Sequence, residues 1–415
     1  ALTAAIRMGY RQVLPILTVL VSSDEKELAS VAKEGLSYFP SRAGDDAVKT
    51  MLTSANVQIR LVAIELISDG ALPEPAKMLM QVARDDSDAA VRLAALNGVK
   101  KYAGVEQLSE LLQFLLEPQS EDEMTATEEA VKQVCMREKA SSKEDIEITH
   151  AVYGNLPDGP QKDVTKKVRQ LLSSGNLSVT ASNRNFGDPA PGKVKQLQVD
   201  YVSKEMTMSQ TVQEGQTIQL ATAIVPDDIV NTLGESFAGA KGPSKMALLR
   251  VLGATGSTKA FETVLPIALT GKGDLKEIAI KAVCDWPTDA ALPTLLEWIK
   301  TPPSDTVKID ALRGAVRMLK PGQDSTKNLC KHYSQFLAQA GSVAEKKLIL
   351  SGLGNIGSVC ALEMVLEQVA DEAVKAEAVQ AAITISEKLG DSPEEQAALE
   401  KAKALVPQVA GGDKK

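Results

Sequence analysis

Two histidines, His150 and His332, and four cysteines, Cys135, Cys284, Cys330 and Cys360, are the side chains best suited to nucleophilic or general-base work in this chain. Such chemistry needs one of them beside a partner that tunes its pKa. His150 falls in an alternating, strand-like run and His332 in a helical one beside Cys330 and Tyr333, and neither spacing makes a nucleophile–base pair. Both are therefore read as structural or surface residues. The cysteines form no CxxC pair and no Cys/His cluster at metal-ligand spacing. They are read as buried or idle thiols; a Cys330–Cys360 disulfide suits an exported protein, and the sequence does not decide it.

GATGS (253–257) and GNIGS (354–358) look like phosphate loops, but both lack the Lys-Ser/Thr of a P-loop and the strand that leads a dinucleotide site. They read instead as turns that end helices. The acidic run QSEDEMTATEE (119–129) lacks the alternating oxygens and central Gly of a calcium loop, and reads as a solvated loop entering a helix N-terminus. No catalytic, cofactor or metal residue is assigned, and the chain is read as non-enzymatic.

One stretch gathers polar chemistry of another kind. In SNRNFGDPAPGK (182–193), Asn183, Arg184, Asn185, Asp188 and Lys193 bring amide, carboxylate and cationic groups together, a set that suits a hydroxyl-rich ligand. Phe186 and Tyr153 are the candidate stacking faces. Pro189 and Pro191 restrict the loop while Gly187 and Gly192 permit its bends. The competing reading is a purely structural turn.

What would position these residues is a repeat. KMALLRVLG (245–253), EIAIKAVCD (277–285) and IDALRGAVR (309–317) align without gaps, with Ala247, Ala279 and Ala311 at steps of 32 residues. IRLVAIELI (59–67) and VRLAALNGV (91–99) keep the same step, placing Arg60 over Arg92 and Ala63 over Ala95. Each unit reads as two helices joined by a short Gly or Asp turn. A single hairpin cannot bury its apolar face, so neighbours must stack.

Between 143 and 225 the period changes. Residues 145–154, 176–182, 194–202, 206–212 and 216–221 alternate with period two, as strands do, and 163–175 reads as an amphipathic helix started by Asp163 or Thr165. Val199 and Tyr201 fall on one face, Gln198 and Asp200 on the other. SKE (203–205) and QEG (213–215) are the expected turns. The fold class is thus mainly α, an α-solenoid, HEAT-like on the resemblance given below, interrupted by a small β-rich (α+β) domain. Its expected parts are N-terminal repeats at 1–142, the β-rich domain at 143–225, and C-terminal repeats with a short polar tail at 226–415.

The helical units resemble HEAT repeats, on SDAAVRLAAL (87–96) and SANVQIRLVAI (54–64), over about three quarters of the chain. That resemblance implies the fold and says little of function. The β-rich segment resembles a module found with HEAT repeats in large exported proteins of planctomycete and verrucomicrobial bacteria. It is also distantly similar to the C-terminal domain of a mitochondrial J-domain co-chaperone, most specifically in GDPAPG and KQLQVDY. This implies a module of unknown function and no chemistry.

Composition agrees with stacked helices: aromatics are only 3%, and 46 Lys and Arg against 54 Asp and Glu leave a net charge of −8. Phosphate backbones want a basic surface, so a nucleic-acid scaffold is set aside. The longest apolar runs, such as VLPILTVLV (13–21), are too short for a bilayer. The chain opens at Ala1 rather than Met, and together with the resemblance this favours export, periplasmic or otherwise, over the cytoplasm. Two readings of function follow. The first is a scaffold whose solenoid surface binds a protein partner; the second is a carbohydrate- or other ligand-binding module read by the β domain. The oligomeric state is left open.

Overall fold

A computed structural model describes residues 2–40, 42–70, 72–141, 146–156, 159–172, 178–203, 206–219, 225–319, 325–390 and 392–406. Its described residues hold 22 α-helices and six strands, arranged in two compact units. One comprises 1–139 with 225–263, the other 140–224 with 264–415.

In the first unit, the 32-residue period becomes stacked helices. Asn56 and Asp88 start the helices Val57–Ser68 and Ala89–Val99, their side-chain oxygens accepting from the free amides of Gln58 and of Ala90 and Val91. These two helices pack on each other, and Pro75–Asp85 fills the hairpin beside Ala89–Val99. Ala63 and Ala95 are fully buried, as close helix approach demands. Arg60 and Arg92 then repeat one job. Each guanidinium donates to carbonyls of the preceding turn, Ser54 O and Asp86 O, and pairs with an acid of the next repeat, Asp86 and Glu123. A second ladder closes the helix C-termini, whose last carbonyls lack partners within the helix. Tyr102 Oη donates to Ser68 O at 2.8 Å, and Arg137 donates to Ala103 O and Lys100 O. After the β-rich segment the stack resumes, with Asp227–Gly239 and Gly242–Thr255 packing on Leu108–Leu116.

In the second unit the helices from Gly273–Cys284 to Pro393–Leu405 obey the same rules. Ala279 and Ala311 are buried. Arg317 donates to Cys284 O and Trp286 O, and Lys388 to Gly354 O at 2.8 Å. Cys330 and Cys360 are bonded, tying Thr326–Gln339 to Val359–Glu367. The two glycine turns differ in cause. Gly256, in the first unit, sits at φ +76, the left-handed cap that only glycine takes freely. Gly357 needs no such angle; a Cβ there would lie 2.8 Å from Lys388 Cβ, so it is small to let the next helix end approach.

The β-rich module is built on strands β1 (Ile146–Gly154), β2 (Gln161–Asp163), β3 (Ser178–Thr180), β4 (Gln196–Ser203), β5 (Met206–Gln213) and β6 (Thr217–Gln219). An antiparallel sheet runs β2-β1-β4-β5, and β3 pairs with β6 in a second. Thr149 bulges out of β1, its hydroxyl donating to Asp200 O. Val199 and Tyr201 are buried while Gln198 and Asp200 are half-buried, so the alternation is a true one-faced sheet. The helix Thr165–Leu172 lays Val168 and Leu172 on the core, and Asp163 Oδ1 accepts from its first amide, Thr165 N, at 2.8 Å. Two elements go beyond the sequence expectation: the short strand β2, and one helical turn, Asn183–Phe186, inside the polar loop. Gly215 turns the QEG corner at φ +88. The SKE turn beyond Ser203, the ends of the 176–182 and 216–221 runs and the polar tail lie outside the described residues.

Candidate functional site

The polar loop is held from within. Ser182 Oγ accepts from Asn185 N, which starts the helical turn, and Asn185 Nδ2 donates to Thr180 O at 2.8 Å. Tyr153 Oη donates to Asn183 Oδ1 at 3.1 Å, and the Tyr153 and Phe186 rings lie 5.2 Å apart. Gly187 and Gly192 both take positive φ, the bends the loop requires. Tyr153 and Phe186, expected as stacking faces, are instead core residues, 0% and 3% exposed. The correction has a simple cause: the helical turn folds Phe186 under the loop, where it joins Tyr153 and Val168 in the module's apolar centre. Neither ring offers an open stacking face on the surface.

Lys195, not singled out in the sequence reading, organises the rest. Its Nζ is buried, 3.2 Å from Asp188 Oδ1 and 3.2 Å from Glu214 Oε2, and it donates to Lys193 O at 2.9 Å. Burial pulls the ammonium's pKa down, but the hydrogen bonds and charges of Asp188 and Glu214 outweigh it, so the pKa is raised and the cation held. Burial and the neighbouring Glu214 and Asp188 push the Tyr153 hydroxyl up to about 12, which keeps it neutral as a donor. Asp188 is therefore a strut. Parity carried the missed signal: Lys195 shares the inward register of Leu197, Val199 and Tyr201, while Val194 points out, 68% exposed. Arg184 and Lys193 remain on the surface.

The two histidines belong to different elements, His150 to β1 and His332 to the helix Thr326–Gln339. His150 is half exposed on β1, its Nδ1 3.6 Å from Asp200. His332 lies beside Phe336, its Nδ1 buried without a hydrogen-bond partner. Among the described residues no three His, Cys, Asp or Glu side chains gather as a metal set, and no helix is long and apolar enough to cross a membrane.

A concavity with polar walls lies in the first unit. A groove of about 710 Å³ is lined by Asn97 and Lys100 at the end of Ala89–Val99, by Asp122, Glu129 and Lys132 on Glu121–Ser141, and by Arg250 on Gly242–Thr255. Its floor is Glu128, whose carboxylate is held by Arg250 Nε (2.8 Å) and Lys132 Nζ (2.6 Å). Burial raises the Glu128 pKa, but the hydrogen bonds and charges of Arg250 and Lys132 outweigh it and hold it below the usual carboxylate range. The acidic run is thus not simply solvated: Glu123 and Glu128 are buried in pairs with Arg92 and Arg250. Both signs of charge line the opening, with Leu93 and Ala126 as apolar wall.

Stacked helical hairpins, inter-repeat ladders and an inserted antiparallel module define an α-solenoid protein with a small β insertion. No protein-family model matches the chain, and no curated protein matches its sequence. Among solved structures it is similar to Kap121p, at 10% identity and a TM-score of 0.46, over 98% of this chain and 44% of that one. It is also similar to human deoxyhypusine hydroxylase (12%, TM-score 0.26, 92% and 99% covered) and to a chain from a structure of the cadherin–beta-catenin interaction (12%, 0.22, 96% and 97%). This chain spans less than half of the Kap121p chain. None of these TM-scores reaches 0.5.

Proposed function

We propose that this protein is a non-enzymatic interaction scaffold whose groove beside Glu128 and Arg250 seats a protein partner. The observation that carries the reading is that groove: three helices from successive hairpins line one opening of about 710 Å³ with charges of both signs. Such a surface suits an extended peptide with alternating charge, and solenoids commonly bind this way. The Cys330–Cys360 bond supports an oxidising, exported setting. Kinship of the β module with the bacterial exported-protein module and the co-chaperone domain rests on GDPAPG and KQLQVDY; a solved structure of either that lacks the β2-β1-β4-β5 order would remove it. The carbohydrate reading loses its two stacking rings to the core and is not favoured.

The test is affinity capture from the native organism with the whole chain and with a chain carrying Asp122→Lys and Glu129→Lys. The groove reading expects a partner that the wild type retains and the variant loses. If both chains retain the same proteins equally, the groove is not the seat.

A further inference from the structure

The module holds a second, smaller concavity of different character. Lys162 on β2 and Lys166 and Lys167 on the first turn of Thr165–Leu172 line a pocket of about 320 Å³, with Asn185 and Gln170 as amide walls. The single acid in its lining, Asp163, already accepts from Thr165 N at 2.8 Å. Two other cations of the module do meet carboxylates: Lys195 lies between Asp188 and Glu214, and His150 lies beside Asp200. Lys166 and Lys167 have no acidic partner among the described residues, and Lys162 reaches only a carbonyl, Phe186 O, at 3.3 Å. In a chain with a net charge of −8 this is a local positive concavity that no carboxylate among the described residues pairs with.

We propose that this pocket binds a small phosphate or sulfate ester. Ammonium groups are compact point charges on flexible stems, without the planar fork with which arginine grips carboxylates. Three of them around one opening can converge on a tetrahedral oxyanion. The Asn185 and Gln170 amides beside them suit hydroxyls on whatever carries that group. Phe186 closes the pocket from below as part of the core, so recognition is by charge and hydrogen bonds rather than by stacking. This site is separate from the groove of the first unit and does not depend on it.

Isothermal titration of the whole chain at low salt with glucose 6-phosphate, glucose 6-sulfate and glucose tests the assignment. Saturable binding of either ester, absent for glucose, is the expected result, and the better of the two esters identifies the oxyanion. Lys166→Gln and Lys167→Gln should each weaken binding about tenfold, the loss of one charge-assisted hydrogen bond. Rising salt should weaken it further. Both lysines are exposed, so an unchanged melting temperature will show that the variants fold. The proposal is overturned if no ester saturates, if glucose binds equally well, or if the folded double variant binds like the wild type.

Discussion

Arg250 grips Glu128 across 122 residues of chain, Nε to Oε1 at 2.8 Å and Nη2 to Oε2 at 2.6 Å. One partner precedes the β-rich module in sequence and the other follows it, so this bidentate pair joins the two chain segments that make up the first unit. Lys132, one turn along from Glu128, adds a third contact.

The pair makes an acid-side prediction. Because the folded pKa of Glu128 is depressed, its contribution is intact above the unfolded value of about 4.3 and is lost as pH falls through the folded value. Glu128→Gln should lower stability at neutral pH by about 1–2 kcal/mol, less than for a fully buried pair because Arg250 keeps 39% of its side-chain exposure. Thermal melting followed from pH 7 to pH 3 should converge for wild type and variant at the acid end. Parallel curves would show that the pair contributes nothing titratable.

Lys195 makes the opposite prediction in sign. Its raised pKa means that its contribution is complete below about pH 10.4 and is lost only as pH rises through the folded value. Lys195→Met leaves Asp188 and Glu214 facing each other without their cation. The expected cost is roughly 1–3 kcal/mol, moderated because both acids keep partial access to water. Hydrogen exchange should quicken in 186–196 and around Glu214, while the helical repeats keep their protection; unchanged exchange in the loop would show that Lys195 is not its anchor.

Close helix approach predicts a contrasting pair of glycine substitutions. A Cβ on Gly314 would press on the Cys284 carbonyl oxygen and lie 2.8 Å from Leu295 Cδ1, whereas one on Gly234 would meet nothing within 4 Å. Gly314→Ala should cost about 1–3 kcal/mol through overpacking. Gly234→Ala, inside the helix Asp227–Gly239, should gain about 0.5–1 kcal/mol from reduced backbone freedom. Denaturation midpoints that move in the same direction for both would contradict this packing.

The Cys330–Cys360 bond closes a loop with a sequence separation of 30, for which chain entropy gives about 3–4 kcal/mol. Dithiothreitol should lower the melting temperature, and intact mass should rise by about 2 Da on reduction as one S–S becomes two thiols. Cys135 and Cys284 are buried, and burial first, then Asp310 and Asp285, push the Cys284 thiol up to about 12. Native protein should therefore react slowly with thiol reagents. Four fast-reacting thiols would mean that the bond is absent and the helices are open.

The repeat was legible because it rests on a local signal. Ala63, Ala95, Ala247, Ala279 and Ala311 recur wherever two helices must come close, and each is fully buried. The strand alternation of 196–203 was legible for the same reason, since parity alone separates Val199 and Tyr201 from Gln198 and Asp200. The polar loop was not. Its composition suggested an open ligand surface, but whether Phe186 faces water depends on a helical turn and on Tyr153, thirty-odd residues earlier in the chain.

By itself, then, the sequence determined the period, the small positions that permit stacking, and the place where helices give way to strands. These follow from which side chains must leave water, and that is written in spacing. Only the tertiary structure decided the partners: Arg250 with Glu128, Lys195 between Asp188 and Glu214, Cys330 with Cys360, and three lysines around one pocket. Pairing depends on distances between elements remote in the chain, and those distances exist only once the hairpins have stacked and the sheet has closed over its core.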